Sequence, residues 1–464
     1  MFEANTYIER RNRLKKDLQA GILLFLGNDP SPMNYPENTY PFRQDSSFLY
    51  FWGIDLPGMA AIIDIDGNRE ILFGRDPTLH DMIWTGPLPS LNHHCLKSGL
   101  KESAAPAQLQ SELKNALRKS RKIHFLPQYR PENLIKIQTL LGIAPSFVNN
   151  FVSKSFIKAV VAQRSIKSRE EVEQIEAALE ITSEMHELAM KMSRSGMSEQ
   201  EVVGAMAGLA EAGGTASAYP SIFSVDGQIL HNPHHKNIMQ NGDIIINDSG
   251  AESSMHYASD ITRSFPVAGK FTQKQKEIYA VLLRAQQKAI EAVMPGVEYR
   301  DVHTLTCSQI AAGLNSLGLM KGDVNEAVAA GAHALFMPHG LGHMIGLDVH
   351  DMEDLGEDDV GYTDTIRRSS QFGTSHLRLA RALEPGFVVT VEPGIYFIPD
   401  LIDQWQAQGK FENFIDYQKI ENYRNFGGIR IEDNVFVHDE GQRVLGKPIA
   451  KTVEEVEALS SQIL

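Results

Sequence analysis

Apolar and polar positions follow two textures along this chain, and the change between them falls near residue 164. Before it, short apolar runs alternate with amphipathic stretches. Positions 22–26, flanked by Gly21 and Gly27, and positions 60–63, ending at Asp64, predict strands, while 107–119 has helical composition. The pattern predicts an α/β domain over residues 1–163 with no chemical motif in it. Its densest aromatic stretch, 40–53, predicts a core strand, with Arg43 the polar residue that does not suit a core.

Beyond residue 164 the helices announce their own starts. Ser168-Arg-Glu-Glu171 has the form of a capping box, in which the serine oxygen accepts from the backbone N–H three residues on and the glutamate returns the bond. Val172, Ile175, Leu179, Thr182 and Met185 then follow at helical spacing. Ser198-Glu-Gln-Glu201 opens another helix, and Thr272-Gln-Lys-Gln275 a long one that Pro295-Gly296 stops. Gly196-Met197 followed by Val202 is echoed one hundred positions later by Gly296-Val297 followed by Val302, which reads as an internal duplication. Strand-like runs at 243–248, 387–391 and 429–437 come after the helical pairs. Residues 164–464 are therefore predicted to form an α+β domain, with helices outside a strongly bent antiparallel sheet. The acidic stretch 351–371 predicts a solvated loop.

Composition narrows the class. The 464 residues are 42% apolar and 22% charged, which is folded globular usage. Lys and Arg total 44 against 58 Asp and Glu, a net charge of −14 with no basic block, so a general nucleic-acid surface is excluded. Cys95 and Cys307 are too few and too isolated in sequence for a disulfide framework or a thiolate metal site, which suits a reducing compartment. The first 18 residues are charged and lack the form of a signal peptide, and 22–26 is too short to span a bilayer, so a cytoplasmic location is expected.

Five side chains break the apolar pattern where a core strand is expected. They are Asp248 in Asn-Asp-Ser-Gly250, Asp260 in Ala-Ser-Asp-Ile-Thr262, His343 in His339-Gly-Leu-Gly-His343, Glu392 in Val-Glu-Pro-Gly394 and Glu432 in Arg430-Ile-Glu-Asp433. A buried carboxylate without a partner is costly, and four of them call for concentrated positive charge, which two divalent cations would supply. Four carboxylates and one imidazole are a hard donor set that suits Mn²⁺, with Co²⁺, Zn²⁺ and Fe²⁺ as alternatives. Paired cations of this kind activate water for hydrolysis. Arg430 and Glu432, two apart, would share a sheet face, with the arginine orienting a ligand.

The same residues carry a family resemblance. Ile229-Leu-His231, Ser259-Asp-Ile-Thr-Arg-Ser-Phe-Pro266, Met337-Pro-His-Gly-Leu-Gly-His343, Gly346-Leu-Asp-Val-His-Asp351, Thr390-Val-Glu-Pro-Gly-Ile-Tyr396 and Gly427-Gly-Ile-Arg-Ile-Glu-Asp433 resemble the pita-bread metallopeptidases, specifically the proline peptidases prolidase and aminopeptidase P. The resemblance spans residues 165 to about 460 and implies that Asp248, Asp260, His343, Glu392 and Glu432 ligate two metals, with Asp260 and Glu432 bridging. It implies that Glu392 accepts a proton from the attacking water. It also implies that His231, His339 and His350 contact substrate and steady the scissile carbonyl as its oxygen becomes negative, with Arg430 among the substrate-binding residues.

Both subfamilies share these ligands. Ser375-His-Leu-Arg-Leu-Ala-Arg381 looks like the prolidase segment whose first arginine binds a dipeptide's free carboxylate, which implies that role for Arg378 and favours an Xaa-Pro dipeptidase. Residues 412–427 also look like bacterial prolidases, whereas Tyr40-Pro-Phe-Arg-Gln44 looks more like aminopeptidase P. The alternatives are thus an Xaa-Pro aminopeptidase acting on longer peptides, a non-catalytic pita-bread binding protein, and a methionine aminopeptidase. The family's N-terminal domain often packs over a neighbouring subunit, so a homodimer or homotetramer is expected, with Arg43 reaching a substrate across the interface. Two departures stand beside the site. Asp248 and Asp260 lie one position further apart than the resemblance implies, and Asn247 replaces an apolar neighbour.

Overall fold

A computed structural model describes residues 1–462. They form two compact units, Met1–Arg164 with Met352–Asp359, and Ser165–Asp351 with the chain from Val360 onward.

The first unit is built on a five-stranded mixed sheet ordered Glu102–Ala104, Arg69–Phe73, Ala60–Asp64, Ile22–Leu26 and Ile123–Phe125. The strand Ile22–Leu26 is apolar at every position because both its faces are covered. Ile22, Leu24 and Leu26 pack with Leu113 and Ile137, while Phe25 points the other way, against Phe51, Trp52 and Phe156.

The aromatic stretch is not a strand. Ser46–Trp52 is a helix buried at all seven positions. Asp45 caps it, accepting from the Phe48 N–H at 2.8 Å, and Gly53 ends it at φ +63°, where a Cβ would lie 2.2 Å from the Tyr7 ring. A run apolar on all sides carries neither period, so the caps decide it. Arg43 is engaged locally, donating to the Gln44 carbonyl at 2.6 Å and the Ser46 hydroxyl at 3.3 Å. The acidic stretch is more ordered than a solvated loop. Glu353–Leu355 and Glu357–Gly361 are short helical turns that bury Met352, Leu355 and Val360, and Lys154 pairs with Asp359 at 2.6 Å.

In the second unit, Arg169–Met192 packs on Glu199–Gly213 and Gln273–Ala292 on Tyr299–Ser316, the two helical pairs that the internal echo predicts. The capping boxes at Ser168, Ser198 and Thr272 all form. The sheet is in pieces, all antiparallel. Ile222–Ser224, Ile244–Ser249 and Ile261–Pro266 make one piece, Val388–Val391, Asp433–His438 and Gly441–Val444 a second, and Gly394–Tyr396 with Gly428–Arg430 a third.

The expected strand at 429–437 is therefore broken. Arg430 pairs with Gly394 in one piece and Asp433 with Val391 in another. Between them Ile431 and Glu432 leave both ladders, their N–H groups donating to Pro393 and Thr262 carbonyls at 3.3 and 3.0 Å. This crossover lets the chain bend and turns Glu432 toward the strands that carry the other carboxylates.

The hairpin that brings Asp248 and Asp260 together closes tightly at Gly250, where a Cβ would stand 1.9 Å from the Ser259 carbonyl oxygen. Backbone cannot yield as a flexible side chain can. Gly250→Ala is expected to destabilise the protein by about 1–3 kcal/mol, read as a lower midpoint of urea unfolding; an unchanged midpoint would show that the hairpin opens freely.

Candidate metal centre

Asp248 is the penultimate residue of its strand and is paired in register with Thr262; Asp260 stands immediately before the returning strand. At the tip of the connection between them His256 takes φ +66° and its ring bonds Glu252 at 2.7 Å. Asn247 points to the opposite face from Asp248. It is fully buried, with its amide 3.2 Å from Nδ1 of His186 and its oxygen accepting from the Ser249 hydroxyl at 3.0 Å. The departure at Asn247 is thus matched by a polar partner on the helix behind the sheet, and burial pushes the His186 imidazole down to about 4, keeping it neutral.

His343 is held by its backbone N–H, which donates to Thr390 Oγ1 at 3.1 Å, and by its ring, whose Nδ1 donates to the Met344 carbonyl at 2.9 Å. That leaves Nε2 as the lone-pair nitrogen, 3.4 Å from Asp260 and 3.6 Å from Glu392. Glu432 accepts from the Thr262 hydroxyl at 2.7 Å through Oε2, while its Oε1 is buried with no hydrogen-bond partner. Ligand atoms of Asp260, His343 and Glu432 all lie within 4.8 Å of one another. Asn434 locks the backbone of Asp260 from both sides, accepting from its N–H at 3.1 Å and donating to its carbonyl at 2.6 Å.

The electrostatics state the same need. Burial, then the neighbouring Asp248, pushes the Asp260 carboxyl up to about 8. Burial also raises Glu392 and Glu432 well above the carboxylate range, with Asp260 adding to the shift in both. Charge is disfavoured on these groups by desolvation and by one another. Tyr219 adds a further sign, since its single hydroxyl hydrogen is offered to Asp248, at 2.6 Å, and to Asp260. A cluster with an orphaned carboxylate oxygen, an imidazole nitrogen facing two carboxyls and three carboxyls that resist ionisation fits divalent cations. Asp248, Asp260, His343, Glu392 and Glu432 are the residues that would hold them.

Arg430 is held by protein groups at the cavity wall. It is 3% exposed and its guanidinium is committed to Asp248 at 2.6 Å, the Tyr396 hydroxyl at 2.7 Å and Thr262 Oγ1 at 3.2 Å. These bonds brace the Asp248 carboxylate. His339 is likewise bonded at both nitrogens, Nδ1 to the Gly340 carbonyl at 2.8 Å and Nε2 to the Tyr396 hydroxyl at 3.0 Å, and burial with the charge of Arg430 pushes it down to about 3. His350 lies edge-on to His343, ring centres 4.3 Å apart. With His231, Arg378 and the five candidate ligands, these residues line one cavity of about 530 Å³, ample for a small peptide. Tyr219, Tyr396, Thr262, Asn434 and His376 are not singled out by any spacing, although Thr262, Tyr396 and His376 lie inside recognised motifs.

The chain was compared with known proteins. Residues 173–439 match Metallopeptidase family M24, and residues 7–124 match Aminopeptidase P, N-terminal domain. A human Xaa-Pro dipeptidase is 34% identical, covering 96% of this chain and 90% of that protein. An Escherichia coli Xaa-Pro aminopeptidase is 31% identical, covering 97% and 96%. Among solved structures, zinc-substituted E. coli aminopeptidase P in complex with product superposes with a TM-score of 0.80 at 29% identity, over 99% of this chain and 98% of that one. No helix among the described residues is long and apolar enough to cross a membrane. The carboxylate cluster and both matches lead to one conclusion: this chain belongs to metallopeptidase family M24.

Proposed function

We propose that this enzyme is an Xaa-Pro dipeptidase that splits the bond before a C-terminal proline, with two Mn²⁺ ions held by Asp248, Asp260, His343, Glu392 and Glu432. Bound there, such ions supply a nucleophile from water at neutral pH and polarise the scissile carbonyl. The observation that carries the dipeptidase reading is Arg378, whose side chain lines the cavity and whose charge is felt at Glu392 and His231. A cation lining the same cavity as these residues would meet the carboxylate of a substrate that ends at proline.

The chain's own residues then divide the work. Glu392, whose burial raises its proton affinity, takes the proton of the attacking water and passes it to the imino nitrogen of the leaving proline. His231 and His350 flank the scissile carbonyl and donate to its oxygen as charge develops. His339 acts through Tyr396, whose hydroxyl it accepts while Arg430 donates to the same oxygen; the three hold Asp248 in place. The similarity to aminopeptidase P over the N-terminal domain supports the second reading, cleavage of longer Xaa-Pro peptides.

An Xaa-Pro dipeptide and an Xaa-Pro-Yaa tripeptide separate the two. Wild type should prefer the dipeptide, and Arg378→Ala should lower kcat/KM for it by about 10–100-fold while sparing the tripeptide; tripeptide preference with no effect of Arg378→Ala would establish the aminopeptidase reading. Asp260→Ala is expected to cost at least a ~100-fold loss of kcat, and full activity in that variant would sink the two-ion assignment. Arg430→Gln should weaken Mn²⁺ affinity by about 10–100-fold, measured by metal titration. A rise in KM at unchanged metal affinity would instead make Arg430 a substrate residue.

A further inference from the structure

Three side chains that the peptidase chemistry does not use meet inside the second unit. His303 and Cys307 lie four apart on the helix Tyr299–Ser316, hence on one face, and His333 sits on the short turn Ala332–Leu335 packed against that helix. All three are at most 2% exposed. A donor atom from each lies within 4.8 Å of both others, although the cysteine is isolated in sequence.

Their polar atoms are poorly served by protein. Nδ1 of His303 and Nδ1 of His333 are buried without a hydrogen-bond partner, which is uncommon for groups so deep. The Val328 backbone acts on the His333 ring, and its Nδ1, buried without a hydrogen-bond partner, can present a lone pair as a metal-ligating histidine does. Cys307 Sγ stands 3.6 Å from His303 Nε2. Metal–sulfur and metal–nitrogen bonds of about 2.3 and about 2.0 Å at tetrahedral to trigonal angles place two such donors about 3.5–3.7 Å apart.

We propose that His303, Cys307 and His333 form a second metal site, built for a soft monovalent cation, copper(I), and distinct in its donors from the carboxylate centre. Thiolate and imidazole are soft donors that divalent manganese does not favour. Charge balance selects the ion. The electrostatic neighbours of these residues, among the described residues, are imidazoles and not carboxylates. One thiolate with one monovalent cation is neutral, whereas a divalent ion would leave a buried, unpaired positive charge. Three donors also suit copper(I), while zinc(II) takes four ligands. Binding exchanges the thiol proton for the cation, with the proton released to solvent and no change of oxidation state. Burial pushes the thiol up to about 12 and the two imidazoles down to about 3 and about 4, so the three side chains carry no charge of their own near neutral pH.

The test loads full-length, Mn²⁺-treated protein with copper(I) in two ways, by transfer from a colorimetric copper(I) chelator and by refolding in its presence, because no donor atom is open to solvent. The expected result is one copper(I) per chain retained against the chelator, with one sulfur and two nitrogen neighbours by X-ray absorption. Cys307→Ser and His333→Gln should each lower retained copper at least tenfold, and Cys95→Ser, which alters the other buried cysteine, should leave it unchanged. Copper bound only to nitrogen and oxygen, no retention by either route, or loss in Cys95→Ser would overturn the site. Retention of zinc(II) with a sulfur donor in preference to copper(I) would overturn the charge argument. Peptidase activity enters none of these readouts, so the proposal stands or falls apart from the substrate assignment.

Discussion

Four carboxylates gathered where water is scarce are the constraint around which the catalytic unit is arranged. Each buried charge costs several kcal/mol unless opposite charge or hydrogen bonds meet it, and the surrounding groups divide that task. Arg430 meets Asp248, the Thr262 hydroxyl meets one oxygen of Glu432, Asn434 grips the backbone of Asp260, and Tyr219 bridges the two aspartates. What protein groups leave undone is legible as well, in the orphaned oxygen of Glu432 and the proton that Asp260 holds to about 8. Cations complete the arrangement.

The backbone obeys the same constraint. A continuous strand at 429–437 would have kept Glu432 in a ladder beside Asp433; the break at Ile431 and Glu432 turns the carboxylate inward and moves the chain from one piece of sheet to the next. The next residue, Asp433, lies on the far side and is itself held down to about 2 by Arg263 and Lys451. Adjacent acids thus have opposite fates, one raised by burial and its acidic neighbours and one ionised as an anchor for Arg263, whose guanidinium also donates to the Glu432 carbonyl at 2.6 Å.

Much of this was legible in the sequence because polar residues inside apolar runs need a cause. The candidate ligands stood out on that ground, and the capping boxes and the repeated Gly-Met and Gly-Val phrasing located the helical pairs. Aromatic residues 46–52 were misread as strand because an all-buried run has no period, and their caps, Asp45 and Gly53, carried the real signal. Tyr219 was missed because a tyrosine before Pro220 is ordinary until a fold brings it to two aspartates. The meeting of Cys307 with His333 was missed for the same reason: one donor pair is local, at helical spacing, while the third arrives from a separate turn. Arg430 stands beside Asp248, as its orienting role requires, while sequence spacing alone assigns a face and does not say which group on that face it meets.

The central claim is that the carboxylate cluster is completed by two divalent cations. Calorimetric titration of metal-free protein with Mn²⁺ near pH 7, repeated in buffers of different ionisation enthalpy, tests it most directly. Two ions per chain should bind with net release of protons, because carboxyls that hold protons in the metal-free protein must give them up to ligate. Binding of fewer than two ions, or binding with no proton release, would contradict it.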